Sequence, residues 1–236
     1  MDIAKNIKRL KLLALEMFFP AVCLNCVKYL HSWEEKDNLL CNNCFNSIEI
    51  SEIIHRPDPS ILLFSVGSYS NTPMRELIHN LKFNLNLRTQ KPIEKLVKNY
   101  IKKSHLEKII SRENSIIIPI PLHKKRLKKR GFNQAEIIAD ILGKELGILV
   151  EKRLLERVKN TAPQIEMDGK KAREENIKGC FTTHSGVMIN HNTARISELI
   201  IVDDIYTSGS TILEAAKTLN RKLKPAKIIG FTLAKA

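Results

Sequence analysis

The sequence predicts an α/β fold, with a mostly parallel sheet covered by helices on both faces and a small four-cysteine module before it. Strand-like and helix-like segments alternate through the second half of the chain, which is typical of parallel sheets. Four of the five cysteines lie close together near the N-terminus. A length of 236 residues, 43% hydrophobic and 27% charged, suits one ordinary globular domain plus a small module.

The first 20 residues predict a helix that ends before Pro20. Its apolar residues recur at helical spacing: Ile3, Ile7, Leu10, Leu13 and Met17. A helix docked on the rest of the protein is the main interpretation, and a helix lying on a membrane surface is the alternative. Charged residues interrupt the segment, and it lacks a small-residue cleavage site. We therefore expect neither a membrane span nor a secretory signal.

The cysteines form two C-x-x-C pairs, Cys23 with Cys26 and Cys41 with Cys44, separated by a spacer of fourteen residues. Four thiolates so arranged suit a tetrahedral zinc with bonds of about 2.3 Å, and they leave no open position for catalysis. We predict a structural zinc ribbon over residues 21–56, with Tyr29, Trp33 and Phe45 packed around it. Disulfides and a redox C-x-x-C are weaker alternatives. Cys180 is expected to be a core residue.

Residues 51–60 contain Pro57 and Pro59 and are interpreted as a short linker, so the larger domain is assigned to residues 57–236. Within it, periodicity and composition predict helices and strands in alternation. The predicted helices are 72–83, 92–103, 134–146 and 210–223. The predicted strands are 61–69, 115–120, 149–155, 179–183, 199–205 and 227–233.

Residues 199–211, Leu-Ile-Ile-Val-Asp-Asp-Ile-Tyr-Thr-Ser-Gly-Ser-Thr, are the most informative segment. A buried strand ends in Asp203 and Asp204, and a loop of small residues then precedes a helix. A helix N-terminus with free backbone N–H groups binds anions, and ligands of parallel sheets lie at the carboxyl ends of the strands. The loop should cradle a phosphate through Thr207, Ser208, Gly209, Ser210 and Thr211. The aspartates would repel that phosphate, so they suit sugar hydroxyls or a hydrated magnesium ion. The alternative is an ordinary strand–loop–helix turn with a capping serine.

A basic run follows the strand at 115–120. Six of the seven residues at 124–130 are basic: Lys124, Lys125, Arg126, Lys128, Lys129 and Arg130. The formal net charge of the chain is +14, which attracts nucleic acid, acidic lipid headgroups or phosphorylated metabolites. The run is interpreted as a solvated loop, a nucleic-acid patch or a pyrophosphate contact.

Residues 199–211 resemble the phosphoribosyl pyrophosphate (PRPP) signature of type I phosphoribosyltransferases. The resemblance implies that Asp203 and Asp204 face the ribose hydroxyls and that residues 207–211 hold the 5′-phosphate. It also implies a magnesium ion on the pyrophosphate, and a pyrophosphate contact from the basic run.

Together with the cysteine module, the chain resembles the ComF family of competence proteins. The resemblance rests on the order of the motifs, on Arg130-Gly131-Phe132-Asn133-Gln134, and on Gln164, Arg173, Asn176 and Phe181. Ser208 and Ser210 depart from the Thr and the Gly or Ala frequent in relatives, but both keep small hydroxyl donors. The resemblance implies a cytoplasmic bacterial protein of natural transformation that acts on single-stranded DNA beside a competence helicase and recombination proteins.

An active phosphoribosyltransferase of nucleotide salvage is the alternative, and a PRPP-sensing regulator is a weaker one. No catalytic residue is assigned.

Overall fold

The computed structural model describes residues 20–83, 87–161, 175–184 and 196–236. The helix predicted over 1–20 lies outside these residues except for Pro20, and so do Gln164 and Arg173. Among the described helices, none is long and apolar enough to cross a membrane.

Six strands of the described chain form one sheet, in which every neighbouring pair is parallel except the first two strands. The spatial order is β1-β2-β8-β7-β3-β4. The strands are β1 Ile54–Asp58, β2 Ile61–Ser68, β3 Ser115–Pro119, β4 Leu149–Val150, β7 Glu198–Tyr206 and β8 Lys227–Lys235. The prediction of a mostly parallel sheet is confirmed. Two further strands, β5 Leu155–Arg157 and β6 Phe181–Thr183, form a small antiparallel pair of their own.

The sheet is buried on both faces because successive residues of its central strand enter different cores. In β7, Ile200 and Val202 pack in one cluster while Leu199 and Ile201 pack in the other, as the two-residue period of a strand requires. Helices α3 Thr72–Phe83, α4 Gln90–Ser104, α5 Leu106–Ile109 and α7 Gln134–Leu146 contribute mainly to the first cluster, and α8 Ser210–Leu223 to the second. Helices on both faces confirm the predicted fold class.

Two predicted elements differ from the structure. The strand predicted over 149–155 is wrong, since β4 and β5 are separate short strands in different sheets. The segment interpreted as a linker contains β1, which pairs antiparallel with β2 at the edge of the sheet. Pro57 is tolerated in β1 because an edge strand leaves one row of backbone groups unpaired. Cys180 is fully buried, as predicted.

The N-terminal module carries two short helices, α1 Trp33–Asn38 and α2 Asn42–Asn46, and packs on α4. Its buried Leu40 and Phe45 belong to the same hydrophobic cluster as the sheet and α4. Lys91 pairs with Asp37 at 2.8 Å, and the Lys95 ammonium lies 4.7 Å from the centre of the Phe45 ring. The expected boundary at residues 56 and 57 falls inside β1. Because Leu40 and Phe45 belong to the cluster that also contains residues of the sheet, the module and the larger domain share one core.

Candidate functional site

The four cysteines of the N-terminal module converge on one point. The Sγ atoms of Cys23, Cys26, Cys41 and Cys44 all lie within 4.8 Å of one another, and those of Cys26 and Cys41 are 3.7 Å apart. A tetrahedron with metal–sulfur bonds of about 2.3 Å has edges of about 3.8 Å. None of the five cysteines forms a disulfide. The cluster is therefore built to hold a metal ion such as zinc.

Local backbone hydrogen bonds shape the two pairs of ligands. The Val27 N–H donates to the Cys23 carbonyl at 3.0 Å, and Val27 takes a left-handed φ of 61° that turns the chain back. Cys41 is the N-cap residue of α2, and its carbonyl accepts the Phe45 N–H at 2.9 Å. The turn and the helix start thus bring four sulfurs together across the spacer.

Two polar residues that the sequence did not single out support the cluster. The Glu35 carboxylate accepts the backbone N–H groups of Asn42 and His31 at 3.0 Å each, and it also accepts that of Ser32. These bonds, led by that from Asn42, hold the pKa of Glu35 below its usual value. The Asn25 side-chain amide donates to the Cys44 sulfur at 3.3 Å, which stabilises a ligating thiolate.

The expected packing of aromatic residues around the cluster is only partly correct. Phe45 is buried, but Trp33 is 79% exposed and Tyr29 is 61% exposed. Since the module rests on α4 through Phe45, the other two rings remain on its outer surface.

The second candidate site begins at the carboxyl end of β7. Asp203 and Asp204 lie near the end of this strand and are half-buried, and α8 starts at Ser210. Gly209, with φ of 81°, is the N-cap residue of α8 and has no side chain to cap the helix. A Cβ atom at Gly209 would lie 2.3 Å from the Tyr206 hydroxyl. Glycine rather than serine therefore occupies the N-cap position, and the Ser208 hydroxyl accepts the Ser210 N–H at 3.5 Å.

The two carboxylates are held in an unfavourable environment. Burial, together with the adjacent Asp204 charge, raises the pKa of Asp203 to about 7. The Asp204 backbone N–H donates to Asp203 Oδ1 at 2.9 Å, and the Lys82 ammonium lies 3.0 Å from Asp204 Oδ2. These contacts offset part of the free-energy cost of burying two adjacent carboxylates. They do not offset all of it, since the pKa of Asp203 stays raised. Groups with strongly shifted pKa values in a cleft are candidates for ligand binding.

A cavity of about 200 Å³ opens beside this pair. Of the residues predicted for the phosphate loop and the acidic pair, Asp203, Asp204, Thr207 and Thr211 line one part of it, whereas Ser208, Gly209 and Ser210 do not. Four basic side chains also line the cavity: Lys82, Arg126, Arg130 and Arg157. An anionic ligand that also carries hydroxyl groups is therefore complementary to this cavity.

The basic run is a helix, α6 Lys124–Arg130, and the interpretation of it as a loop is wrong. His123 caps its start and Gly131 ends it with φ of 78°. The helix has two faces. Arg126 and Arg130 are half-buried and line the cavity, whereas the remaining basic residues are exposed: Lys124, Lys125, Lys128 and Lys129. Lys124 pairs with Glu156 at 3.0 Å.

The Arg-Gly-Phe-Asn-Gln segment forms the junction between α6 and α7. The Asn133 carboxamide oxygen accepts the Ala135 N–H at 3.1 Å and caps α7, while its amide donates to the Ile120 carbonyl at 3.0 Å. Gln134 accepts a hydrogen bond from Arg130 at 3.1 Å. Phe132 packs against the core. The segment therefore orients Arg130 and the end of β3 toward the cavity. Asn176 lies in a short helical turn and does not line this cavity.

Lys82 and Arg157 line the cavity but were not predicted from the sequence. Lys82 lies at the end of α3, and nothing in its sequence context distinguishes it from the other lysines. Arg157 lies on β5 and is buried on the same strand face as Leu155. The alternation in Leu-Glu-Arg could have indicated an inward arginine, but a three-residue strand is too short for the pattern to be recognised.

The fold and the cavity define a phosphoribosyl transferase domain. The phosphoribosyl transferase domain family matches residues 84–236, and the chain belongs to it.

Several relatives carry names that refer to competence or to DNA utilization. Competence protein F of Haemophilus influenzae is 28% identical over 93% of this chain and 99% of its own. Competence protein ComFC of Bacillus subtilis is 32% identical over 56% of this chain and 50% of its own. DNA utilization protein YhgH of Escherichia coli K12 is 27% identical over 78% of this chain and 79% of its own. The resemblance to the ComF family is confirmed.

The cysteine cluster predicts one tightly bound metal per chain. We expect Cys26→Ser and Cys41→Ser to lose this metal and to unfold at a lower temperature, because metal binding by the four thiolates contributes free energy to folding. Cys180→Ala, which removes a thiol away from the cluster, should keep the metal. Metal content by mass spectrometry and thermal unfolding are the measurements. Full metal occupancy in both serine variants would contradict the assignment.

The raised pKa of Asp203 predicts a pH-dependent gain in stability on its removal. Between its ordinary value of 3.8 and about 7, the folded state binds more protons at Asp203 than the unfolded state does. The free energy of unfolding therefore falls as pH rises through this interval, and the destabilisation is complete above pH of about 7. We expect Asp203→Asn to melt several degrees higher than wild type at pH 8, with little difference at pH 4.

Asp140→Asn is the matched control, because Asp140 is exposed and pairs with Lys152 at the surface. Calorimetric melting at both pH values measures the effect. A gain for Asp203→Asn of equal size at pH 4 and pH 8 would show that Asp203 is not the titrating group.

Proposed function

We propose that this protein binds PRPP and single-stranded DNA during DNA uptake in natural transformation, as a ComF-like protein. The observation that carries the proposal is the cavity at the end of β7, which is lined by two carboxylates, two threonines of the following segment and four basic side chains. The names of the relatives, competence protein and DNA utilization protein, support the biological context. The same resemblance suggests a cytoplasmic location and, as partners, a competence helicase and recombination proteins.

The charges of the cavity match the parts of PRPP. The loop at residues 207–211 and the N-terminus of α8 offer backbone N–H and hydroxyl donors to the 5′-phosphate. Asp203 and Asp204 accept hydrogen bonds from the ribose hydroxyls. The arginines on the opposite wall suit the pyrophosphate, and a magnesium ion carried by the ligand would reduce its charge beside the aspartates.

Zinc is the metal we propose for the cysteine cluster. Four cysteine sulfurs form a closed, soft ligand set, which suits a structural zinc rather than a catalytic ion. The module shares its hydrophobic core with the larger domain through Leu40 and Phe45. Zinc would therefore stabilise the surface on which α4 packs.

The exposed face of α6 is the proposed contact for DNA. Lys125, Lys128 and Lys129 point away from the cavity and add to a chain of net charge +14. Lysines on an exposed helix neutralise backbone phosphates without reading sequence, which suits DNA of any sequence. The basic run would thus serve two ligands from its two faces.

Phosphoribosyl transfer in nucleotide salvage is the second candidate. A cavity of about 600 Å³ adjoins the smaller one, and the two share Leu122, Asn133 and Arg157. It is large enough for a nucleobase. Release of pyrophosphate from magnesium-PRPP, measured across a panel of purine and pyrimidine bases, separates the two candidates. Base-dependent release favours a salvage enzyme, and binding of PRPP without release favours a ligand-binding module.

PRPP binding should depend on the acidic pair. We expect Asp203→Asn combined with Asp204→Asn to weaken the affinity for magnesium-PRPP at least tenfold, since each charge-assisted hydrogen bond contributes about 1.5–3 kcal/mol. The double variant should remain folded, because it removes a charge repulsion. Titration calorimetry measures the affinity, with Asp140→Asn as the surface control. Unchanged affinity in the double variant would contradict the proposal that Asp203 and Asp204 bind PRPP.

DNA binding should depend on the outer face of α6. We expect replacement of Lys125, Lys128 and Lys129 by Gln to reduce the slope of log K against log salt by about 2, at about 0.7 per phosphate contact on single strands. Fluorescence anisotropy with a labelled oligonucleotide at several salt concentrations is the measurement.

A control variant with the same net charge replaces Lys102, Lys103 and Lys108, which are exposed and precede β3, whereas α6 follows the carboxyl end of that strand. If both triple variants lowered the slope equally, binding would reflect net charge rather than α6.

A further inference from the structure

Two aromatic side chains of the N-terminal module lie on its outer surface. Trp33 is 79% exposed and Tyr29 is 61% exposed, although side chains of this size are usually buried over most of their area. Val22 and Val27, from the turn that carries the first two cysteines, are exposed as well. A cluster of exposed apolar groups on one small module is typical of a surface that binds a ligand or a partner.

The turn that carries the first two cysteines fixes the direction of Tyr29. Val22 and Tyr29 form an antiparallel bridge, and the Leu30 N–H donates to the Ala21 carbonyl at 2.9 Å. Residues opposite each other in such a pair place their side chains on the same side, and neighbours along the chain alternate. Cys23 and Leu30 are therefore buried in the core, while Val22 and Tyr29 face outward. The exposure of Tyr29 thus follows from the fold of the metal-binding turn.

Trp33 is the first residue of α1 and lies on a well-fixed segment. The Ser32 hydroxyl caps the helix by accepting the Glu35 N–H at 3.1 Å, and the Glu35 carboxylate accepts the N–H groups of Ser32 and His31 in return. The Lys36 ammonium lies 5.4 Å from the centre of the Trp33 ring, a cation–π distance that orients the ring. An aromatic group held in this way loses little conformational entropy when a ligand binds.

The surface beside the two rings is polar and cationic. An open groove of about 710 Å³ contains Tyr29 together with Lys28, Asn42 and Asn43. Lysine is depleted in the cores of protein–protein interfaces, so a lysine beside each ring, Lys28 and Lys36, disfavours another protein as the ligand. Single-stranded nucleic acid matches this chemistry, because its bases stack on aromatic rings and its phosphates attract ammonium groups.

The acidic residues of α1 are compensated locally. Glu34 pairs with Lys95 at 2.5 Å, and Asp37 pairs with Lys91 at 2.8 Å. The surface is nevertheless much less basic than the outer face of α6. The rings therefore offer stacking and α6 offers charge, which are the two properties that a surface for single strands combines.

We propose that Tyr29 and Trp33 form an aromatic platform on which bases of single-stranded DNA stack. The proposal rests on the proposed function, because it adds a second contact for the DNA that the outer face of α6 binds. Four residues of extended chain span at most about 14 Å, so the two rings contact nucleotides that are close together on one strand. Stacking requires unpaired bases, so the platform gives a preference for single strands over duplex that exposed lysines do not supply.

Trp33 is the single tryptophan of the chain, so its fluorescence reports directly on the platform. In wild type we expect an oligodeoxythymidine to quench Trp33 emission at saturation, and the same strand paired with its complement to quench it much less. Anisotropy of a labelled strand verifies that binding is saturated. Unchanged Trp33 emission at saturation would overturn the proposal without any substitution.

Removal of either ring should weaken the binding of single strands without changing its salt dependence. We expect Trp33→Leu and Tyr29→Leu each to lower the affinity for the single strand by about fivefold to hundredfold, which corresponds to one stacked base. The slope of log K against log salt should stay at its wild-type value, because no charge is removed. Trp33→Phe keeps a ring and should retain most of the affinity.

Leu149→Ala is the matched control, because Leu149 is also 61% exposed but lies on β4. Both leucine variants should retain the wild-type metal content and the wild-type affinity for magnesium-PRPP, which shows that the module and the domain are folded. Equal losses of affinity for single strand and duplex would overturn the proposal, since stacking cannot act on paired bases.

Unchanged single-strand affinity in both leucine variants would also overturn the proposal, while loss of affinity in the α6 lysine variant would leave the proposed function in place. If wild type bound neither single strand nor duplex, the DNA-binding part of the proposed function would fail together with the platform. Sedimentation tests the remaining occupant: self-association of wild type that Trp33→Leu abolishes, with unchanged DNA affinity, would make the platform a contact between copies of the chain.

Discussion

Strand β7 is buried on both faces and carries two adjacent carboxylates near its carboxyl end, and the rest of the site depends on how their charge is balanced. Burial and mutual repulsion raise the pKa of Asp203, so the pair is unfavourable for the fold taken alone. Lys82 compensates Asp204 directly, and Arg157 acts on Asp203 from the opposite wall. The result is a small cavity that contains both signs of charge. Such a cavity suits a ligand that combines hydroxyl groups with phosphates, and it suits a simple anion or cation much less well.

The junction between α6 and α7 gives a basic segment two separate surfaces. Gly131 ends one helix and Asn133 starts the next, and Gln134 fixes Arg130 toward the cavity. The period of a helix then places Arg126 with Arg130 on the inner side and the lysines on the outer side. A protein that binds both a small phosphorylated ligand and a DNA backbone can use one such helix for both, with arginine where planar geometry matters and lysine where only charge matters.

The cysteine module is fixed to the domain by packing rather than by a flexible connection. Phe45 and Leu40 enter the core beside α4, and β1 continues from the module into the sheet. A metal at the cysteines would therefore stabilise one side of the core in addition to the module itself. None of the described residues of the module lines the cavity at β7.

The sequence by itself determined the elements with long or distinctive patterns: β2, β7 and β8, the helices α3, α7 and α8, the four-cysteine cluster and the acidic pair with its loop. Each of these is specified by local residue order, since periodicity, ligand spacing and the strand–loop–helix signature need no distant partner. Only the tertiary structure decided the short elements and the far wall of the cavity. Six like charges in seven residues favour a solvated loop, yet capping by His123 and Gly131 gives a helix. Lys82 and Arg157 come from segments distant in sequence, and they belong to the site only because the tertiary structure brings the end of α3 and the separate strand β5 beside the carboxyl end of β7.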